Sequence, residues 1–307
     1  MLSIVVGILL LYIGAETLVR GSSQLAQKLG IPPLVIGLTI VAFGTSSPEL
    51  LVSISAALRG SSDVAVGNVV GSNIFNVAVI LGLTALIKPP KVHSDLIRRE
   101  IPVLIIVSML GFVVISSGNV TRLVGILLFF GLCYYCWYCI QGARKHPNAL
   151  PADVSGSTQM SSWLCGILIV AGLSFLIFGA NLFVAGAVAV ARGFGMSEAL
   201  IGLTIVAAGT SLPELATSIV AAIKREPDVA IGNVVGSNIF NILGILGVTA
   251  SILPLEVSGI GIIDVGYMLG LAVLLLPFAF SQRSISRFEG GIFLSMYGIY
   301  LYLLWPS

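Results

Sequence analysis

Apolar residues in this chain come in runs of about twenty or more, separated by short breaks rich in Pro, Gly, Lys and Arg. A helix needs roughly 20 residues to cross a bilayer. The pattern therefore predicts ten spans, near 2–28, 33–58, 64–87, 96–116, 121–142, 162–191, 197–222, 228–253, 257–280 and 287–305. The first run has no basic leader and no A-x-A cleavage site, so it is expected to be retained rather than removed as a signal peptide. Composition points the same way. Hydrophobic residues make up 57% of the chain and charged residues 9%, with a mean hydropathy of +1.08. Soluble domains carry roughly 25% charged residues, so water is excluded as the solvent for most of this surface. The expected fold class is an all-α integral membrane protein.

Polar islands interrupt some of these runs, and they are written twice. Residues 37–50, GLTIVAFGTSSPEL, recur at 202–215 as GLTIVAAGTSLPEL, identical at 12 of 14 positions. Residues 63–76, DVAVGNVVGSNIFN, recur at 228–241 as DVAIGNVVGSNIFN, identical at 13 of 14. The offset is 165 residues in both cases and holds without a gap from Gly14 and Gly179 onward. The chain thus divides into a first repeat at 1–143, a linker at 144–161 and a second repeat at 162–307, forming one transport domain. Five spans per repeat is an odd number, so the second repeat enters the membrane from the side opposite to the first. Ten helices in two inverted-topology repeats is a transporter architecture, with binding at the midplane where the repeats meet.

Loop charge sets the expected orientation. With the N-terminus outside, Lys28, Lys88, Lys91, Arg98, Arg99, Arg144, Lys145, Lys224, Arg225, Arg283 and Arg287 fall on the cytoplasmic side, and Arg59, Arg122 and Arg192 fall outside. The positive-inside rule favours that arrangement, with the linker cytoplasmic and both termini outside. The net charge of +2 is accounted for by these anchors and gives no reason to expect nucleic acid as a partner.

The duplicated islands carry the candidate chemistry. Pro48 and Pro213 lack an N–H and disturb the helix about four residues back, near Gly44 and Gly209. Carbonyls freed there find no water in hydrocarbon and need another partner. Thr45, Ser46 and Glu49 lie three and four residues apart, close to one helical face; Thr210, Ser211 and Glu214 repeat the set. A single proline-kinked helix with back-bonded hydroxyls would account for one copy, but not for a glutamate at the same point in both. Ser72 with Asn76, and Ser237 with Asn241, share faces in the second island and can add neutral oxygens or bond helix to helix. Asn68, Asn73, Asn233 and Asn238 are expected to be structural, and Asp63 and Asp228 to be N-caps. Gly67-xxx-Gly71 and Gly232-xxx-Gly236 allow close helix approach.

The set contains only oxygen donors, which suits hard cations such as Ca2+, Mg2+ or Na+ and disfavours zinc and copper. Six to eight flexible oxygens suit Ca2+, and two ionised glutamates would balance its charge. Cys133, Cys136, Cys139 and Cys165 are read as small apolar residues without metal. His93 and His146 are read as solvated. Glu16 and Arg20, four apart, can pair, and Asp264 is expected to be structural. No catalytic group and no resident cofactor is expected; transported Ca2+ and Na+ are the bound species.

GTSSPEL and GTSLPEL, paired with two copies of GNVVGSNIFN, resemble the alpha repeats of the Ca2+:cation antiporter superfamily. The likeness is to its compact prokaryotic Na+/Ca2+ exchangers and covers essentially the whole chain. It implies exchange of Na+ for Ca2+ by alternating access, with spans one and six sliding across an eight-helix core. It also implies a ligand set: the Ala42 carbonyl, Thr45, Ser46, Glu49, Ser72 and Asn76 in the first repeat. In the second repeat the set is the Ala207 carbonyl, Thr210, Ser211, Glu214, Ser237 and Asn241. Some relatives carry Asp where this chain has Asn241, and the missing charge favours K+-independent exchange. The acidic-helix motif of Ca2+/H+ exchangers and the large cytosolic Ca2+-sensing insert of animal exchangers are both absent. The expected partners are Ca2+ and Na+, with H+ as a possible competitor, and the lipid of a prokaryotic plasma membrane; no protein partner is evident. A Ca2+/H+ exchanger, a passive cation channel and a nontransporting scaffold are the alternatives.

Overall fold

A computed structural model describes residues 2–145, 160–196 and 207–304, with the side chains of 143–145 and 207 also outside the description. The linker at 144–161 and the start of the span expected at 197–222 therefore lie largely outside the described residues. The described chain is helical throughout, apart from one antiparallel pair of two-residue strands, β1 (Asn119–Val120) and β2 (Leu255–Glu256). The helices are α1 (Leu2–Leu29), α2 (Pro33–Thr45), α3 (Ser47–Leu58), α4 (Ser62–Ile87), α5 (Leu96–Ser116) and α6 (Arg122–Lys145). They continue with α7 (Ser162–Gly193), α8 (Ala207–Gly209), α9 (Leu212–Ile223), α10 (Pro227–Ile252), α11 (Ile262–Gln282) and α12 (Arg287–Leu304).

Among the described residues, seven helices are long and apolar enough to cross a membrane, or eight if the bent pair α2–α3 is one span. That is fewer than the ten expected. The segment preceding α9 falls outside the description, leaving α9 as a twelve-residue apolar helix. The eighteen residues of α12 are diluted by Arg287, Glu289 and three glycines.

The proline breaks fall two residues later than the sequence suggested. Ser46 (φ −84, ψ 5) separates α2 from α3, and the two axes are bent by 44°. Pro48 sits in the first turn of α3, where its missing N–H has no helical partner to lose. Ser211 (φ −89, ψ 8) and Pro213 repeat this at the start of α9. Wide π-helical turns follow the same logic of freed backbone: they occupy Gly37–Val41 before the first break, and Asn76–Leu81 and Asn241–Leu246 within α4 and α10.

Contacts between loops define two ends of the molecule. At one end Val92 donates its N–H to the Arg283 carbonyl (2.7 Å) and Ile285 to that of Pro90 (3.1 Å). Lys88 reaches the Ile223 carbonyl and Lys28 that of Met160, each at 3.4 Å. At the other end β1 meets β2, and Arg122 donates to the Ile252 carbonyl at 3.1 Å.

Asp63 and Asp228, 165 residues apart, lie at opposite ends. Asp63 accepts N–H bonds from Ser258 and Gly259, both at 2.9 Å; Asp228 lies 3.6 Å from His93. Neither caps its own helix, contrary to expectation, because each reaches across to a loop of the other half. The His93 side chain is 66% exposed, solvated as expected, with Asp228 beside it.

The two longest helices, α1 and α7, cross with main chain against main chain. A Cβ on Gly14 would stand 2.8 Å from the Gly172 carbonyl oxygen, and one on Gly172 would stand 2.6 Å from the Leu18 nitrogen. Small residues permit this approach where lipid gives helices no hydrophobic reason to associate. Glu16 on α1 pairs with Lys224 at the end of α9 rather than with Arg20. That bond raises the Lys224 pKa above its ordinary value. Asp264 is structural as expected, accepting from the Gly261 N–H (2.9 Å) and the Tyr300 hydroxyl (3.0 Å). The four cysteines are unbridged.

Candidate cation site

The two breaks face each other through their side chains. Ser46 donates its hydroxyl to Glu214 Oε1 at 2.9 Å, and Ser211 donates to Glu49 Oε1 at 3.1 Å. Each glutamate is thus held by the serine that lies three residues before the other glutamate. Both carboxylates are 1% exposed, and the bonds that reach them across the break come from hydroxyls. Each sits in the first turn of a helix, α3 or α9, where the N-terminal end of the dipole favours negative charge. Carbonyls at the C-terminal end of α2 arrive at the same break and favour positive charge.

Two asparagines brace this arrangement from behind. Asn233 donates to the Glu214 carbonyl (3.3 Å) and to Ser218 Oγ (3.0 Å), and accepts from Thr45 Oγ1 at 3.0 Å. Asn68 donates to the Glu49 carbonyl (3.1 Å) and to Ser53 Oγ (2.9 Å). A second pair joins α4 to α10. Asn73 donates to the Asn238 carbonyl at 3.3 Å, and Asn238 to the Asn73 carbonyl at 3.4 Å. Asn76 donates to Asn238 Oδ1 and Asn241 to Asn73 Oδ1, both at 2.9 Å. Gly236 lets α10 close on α2, since a Cβ there would stand 2.6 Å from the Leu38 carbonyl oxygen. Asn68, Asn73, Asn233 and Asn238 are therefore structural, as their sequence positions suggested.

The amide network orients what it does not consume. Asn76 and Asn241 spend their N–H groups on it, which leaves both Oδ1 atoms without a partner. Glu49 Oε2, Glu214 Oε2 and Ser237 Oγ are also buried and unpartnered. Buried polar atoms are nearly always hydrogen-bonded, so five orphaned oxygens in the duplicated islands call for a positive guest. Among the described residues no group of three or more His, Cys, Asp or Glu converges, so hydroxyl and amide oxygens must complete any coordination by the two glutamates.

The remaining candidates are placed as follows. Ala42 and Thr45 are fully buried; the Ala42 carbonyl accepts from the Ser46 N–H (3.0 Å) and more weakly from Thr45 Oγ1 (3.4 Å). Ser72 and Ser237 are buried, with no hydrogen bond among the described residues tying either to the glutamates. Thr210 is half-buried and approaches the Glu49 carboxylate. Ala207 opens α8, and its side chain lies outside the described residues.

Known proteins resemble this chain across nearly their full length. The family model described as sodium/calcium exchanger protein matches residues 1–141 and 164–305. CaxA of Alkalimonas amylolytica is 42% identical over 99% of this chain and 98% of its own length. The sodium/calcium exchanger MaX1 of Methanosarcina acetivorans is 31% identical over 99% and 97%. A structure of the sodium-calcium exchanger NCX_Mj, soaked with zero Na+ and Ca2+, superposes with a TM-score of 0.86 at 32% identity, covering 98% of this chain and 97% of that one. Two broken helices with reciprocally held carboxylates, carried on a multi-pass apolar bundle that matches these proteins end to end, place the chain in the sodium/calcium exchanger protein family.

Proposed function

We propose that this protein is an antiporter that exchanges Na+ for Ca2+ across a prokaryotic plasma membrane by alternating access, without K+. The proposed ligands are Thr45, Ser46, Glu49, Ser72, Asn76, Thr210, Ser211, Glu214, Ser237 and Asn241, with the Ala42 and Ala207 carbonyls. One observation carries the reading: Glu49 and Glu214 are buried, cross-bonded to each other's serines, and each keeps a free carboxylate oxygen. A Ca2+ ion would neutralise two carboxylates, which at membrane depth are costly when unpaired. Na+ ions would occupy the same oxygens, so the two cargoes compete and exchange follows.

The proposed scaffold is ten spans in two inverted repeats, 1–143 and 162–307, joined at 144–161, with both termini outside. The reciprocal bonds between Asn73 and Asn238, 165 residues apart, support the inversion. Lys28, Lys88, Lys91 and Arg283 gather at one end with their loops, while Arg122 sits at the other, which supports the orientation. The test is vesicle flux: Na+-loaded vesicles should take up radiolabelled Ca2+ only while external Na+ is low. Uptake that ignores Na+ and follows an imposed pH gradient would replace this reading with Ca2+/H+ exchange. Unitary currents in a bilayer would replace it with a channel.

A further inference from the structure

Thr84 and Thr249 are related by the 165-residue offset, are each 1% exposed, and bond nothing. A helical Ser or Thr can return its hydroxyl to the carbonyl four residues back. Thr17, Thr39, Ser47, Ser174, Ser251 and Ser295 all do so in this molecule. Two mirror-related threonines forgo that bond, so their hydroxyls are turned toward something other than their own helix.

Neighbouring glycines give the direction. A Cβ on Gly82 would stand 3.0 Å from the Gly290 carbonyl oxygen on α12, and one on Gly247 would stand 2.9 Å from the Phe129 nitrogen on α6. Two residues further on is about 200° around the helix. Thr84 therefore faces away from α12 and toward α9, the helix with Glu214 in its first turn, against which this end of α4 packs. Thr249 likewise faces α3, the helix with Glu49 in its first turn. On α9, Thr217 stands one turn beyond Glu214, and its hydroxyl is also buried without a partner. Thr84 lies about 12 Å along α4 from Asn76, toward the end with the basic loops. Thr249 lies equally far from Asn241 toward the opposite end.

We propose that Thr84 and Thr249 are polar steps on the two ion routes, Thr84 between the site and the basic-loop end and Thr249 between the site and the other end. Each hydroxyl hands a partly dehydrated cation between bulk water and the glutamates. The inference deepens the antiport reading and rests on it. Equivalent positions differ in exposure. Val52 and Val64 are 39% and 57% exposed beside a cavity of about 650 Å³, whereas their counterparts Thr217 and Val229 are fully buried. On the Thr84 side α1 packs along α9 and Glu16 pairs with Lys224.

The test uses T84C and T249C in a full-length protein whose four native cysteines are replaced by alanine, assayed in right-side-out and inside-out vesicles with a membrane-impermeant methanethiosulfonate. T84C should be modified, and Ca2+ uptake blocked, only from the basic-loop side; T249C should respond only from the other side. Modification of both from one side, or of neither under any Na+ or Ca2+ gradient, overturns the inference. If the cysteine-free protein does not fold, T84V and T249V in the native background decide. Each should raise the half-saturating Ca2+ concentration about tenfold on its own side alone, with serine restoring it. Equal effects on both sides, or none, overturn it. Native vesicles that show no Na+-dependent Ca2+ exchange would sink the antiport reading instead, whatever the labelling shows.

Discussion

Ser46 and Glu214 are 168 residues apart in sequence, yet the serine hydroxyl lies 2.9 Å from the carboxylate. A hydroxyl fixed to a carboxylate sets which of its oxygens remains available to a cation. Hydrogen bonds to charged groups are worth about 1.5–3 kcal/mol, so S46A and S211A should each weaken Ca2+ binding roughly tenfold to a hundredfold. Isothermal titration on purified protein reads this directly, and unchanged affinity in both variants would remove the serines from the site.

Neutralising one glutamate leaves a Ca2+ ion with half its countercharge. E49Q and E214Q should therefore abolish Ca2+ flux while the protein elutes as a folded species by size exclusion. Normal flux in either variant would exclude that carboxylate as a ligand.

Protons compete with cations for the same oxygens. Acidification should raise the half-saturating Ca2+ concentration of the native protein, because a protonated carboxyl is neutral and one of its oxygens becomes a donor. The sign runs one way: affinity falls as pH falls. Flat affinity down to about pH 4, near the ordinary carboxylate range, would contradict the glutamates' role.

Asn73 and Asn238 lock α4 to α10 by trading side-chain and backbone bonds at 3.3 and 3.4 Å. Replacing Asn73 with leucine strands the Asn238 carbonyl and the Asn241 amide. Each orphaned buried group costs about 1–3 kcal/mol, so N73L should lower the thermal midpoint in detergent by several degrees or more. An unshifted midpoint would show that the network carries no stability.

Close approach at Gly236 gives a stability prediction of a different kind. A methyl group there would meet the Leu38 carbonyl oxygen at 2.6 Å, and overpacking typically costs about 1–3 kcal/mol. G236A should destabilise the protein, while G270A, which meets nothing within 4 Å, should not; equal midpoints would refute the packing argument.

The duplicated islands make the glutamates, the serines and the bracing asparagines legible in the sequence alone, because a repeated polar residue in an apolar run has few explanations. What stays hidden there depends on how distant segments face one another. Nothing around Ser46 signals that it serves Glu214 rather than Glu49, since both are equally near in composition. Asp63 and Asp228 resemble caps because each opens a helix, but a loop from the other half offers N–H or imidazole partners at the same point. Glu16 has Arg20 one turn away and still pairs with Lys224, whose position depends on how α1 lies along α9. Thr84 and Thr249 are also repeated, but the sequence does not show that their hydroxyls leave their own helix, since a threonine in an apolar run normally bonds it.

The glycine-lined crossing of α1 and α7 has a mechanical meaning. Backbones touching at Gly7, Gly14, Gly172 and Gly179 join the two longest helices into a single strut, so a push on either is felt by both. On the proposed antiport reading, one stroke of such a strut along the bundle would uncover one face while shuttering the other.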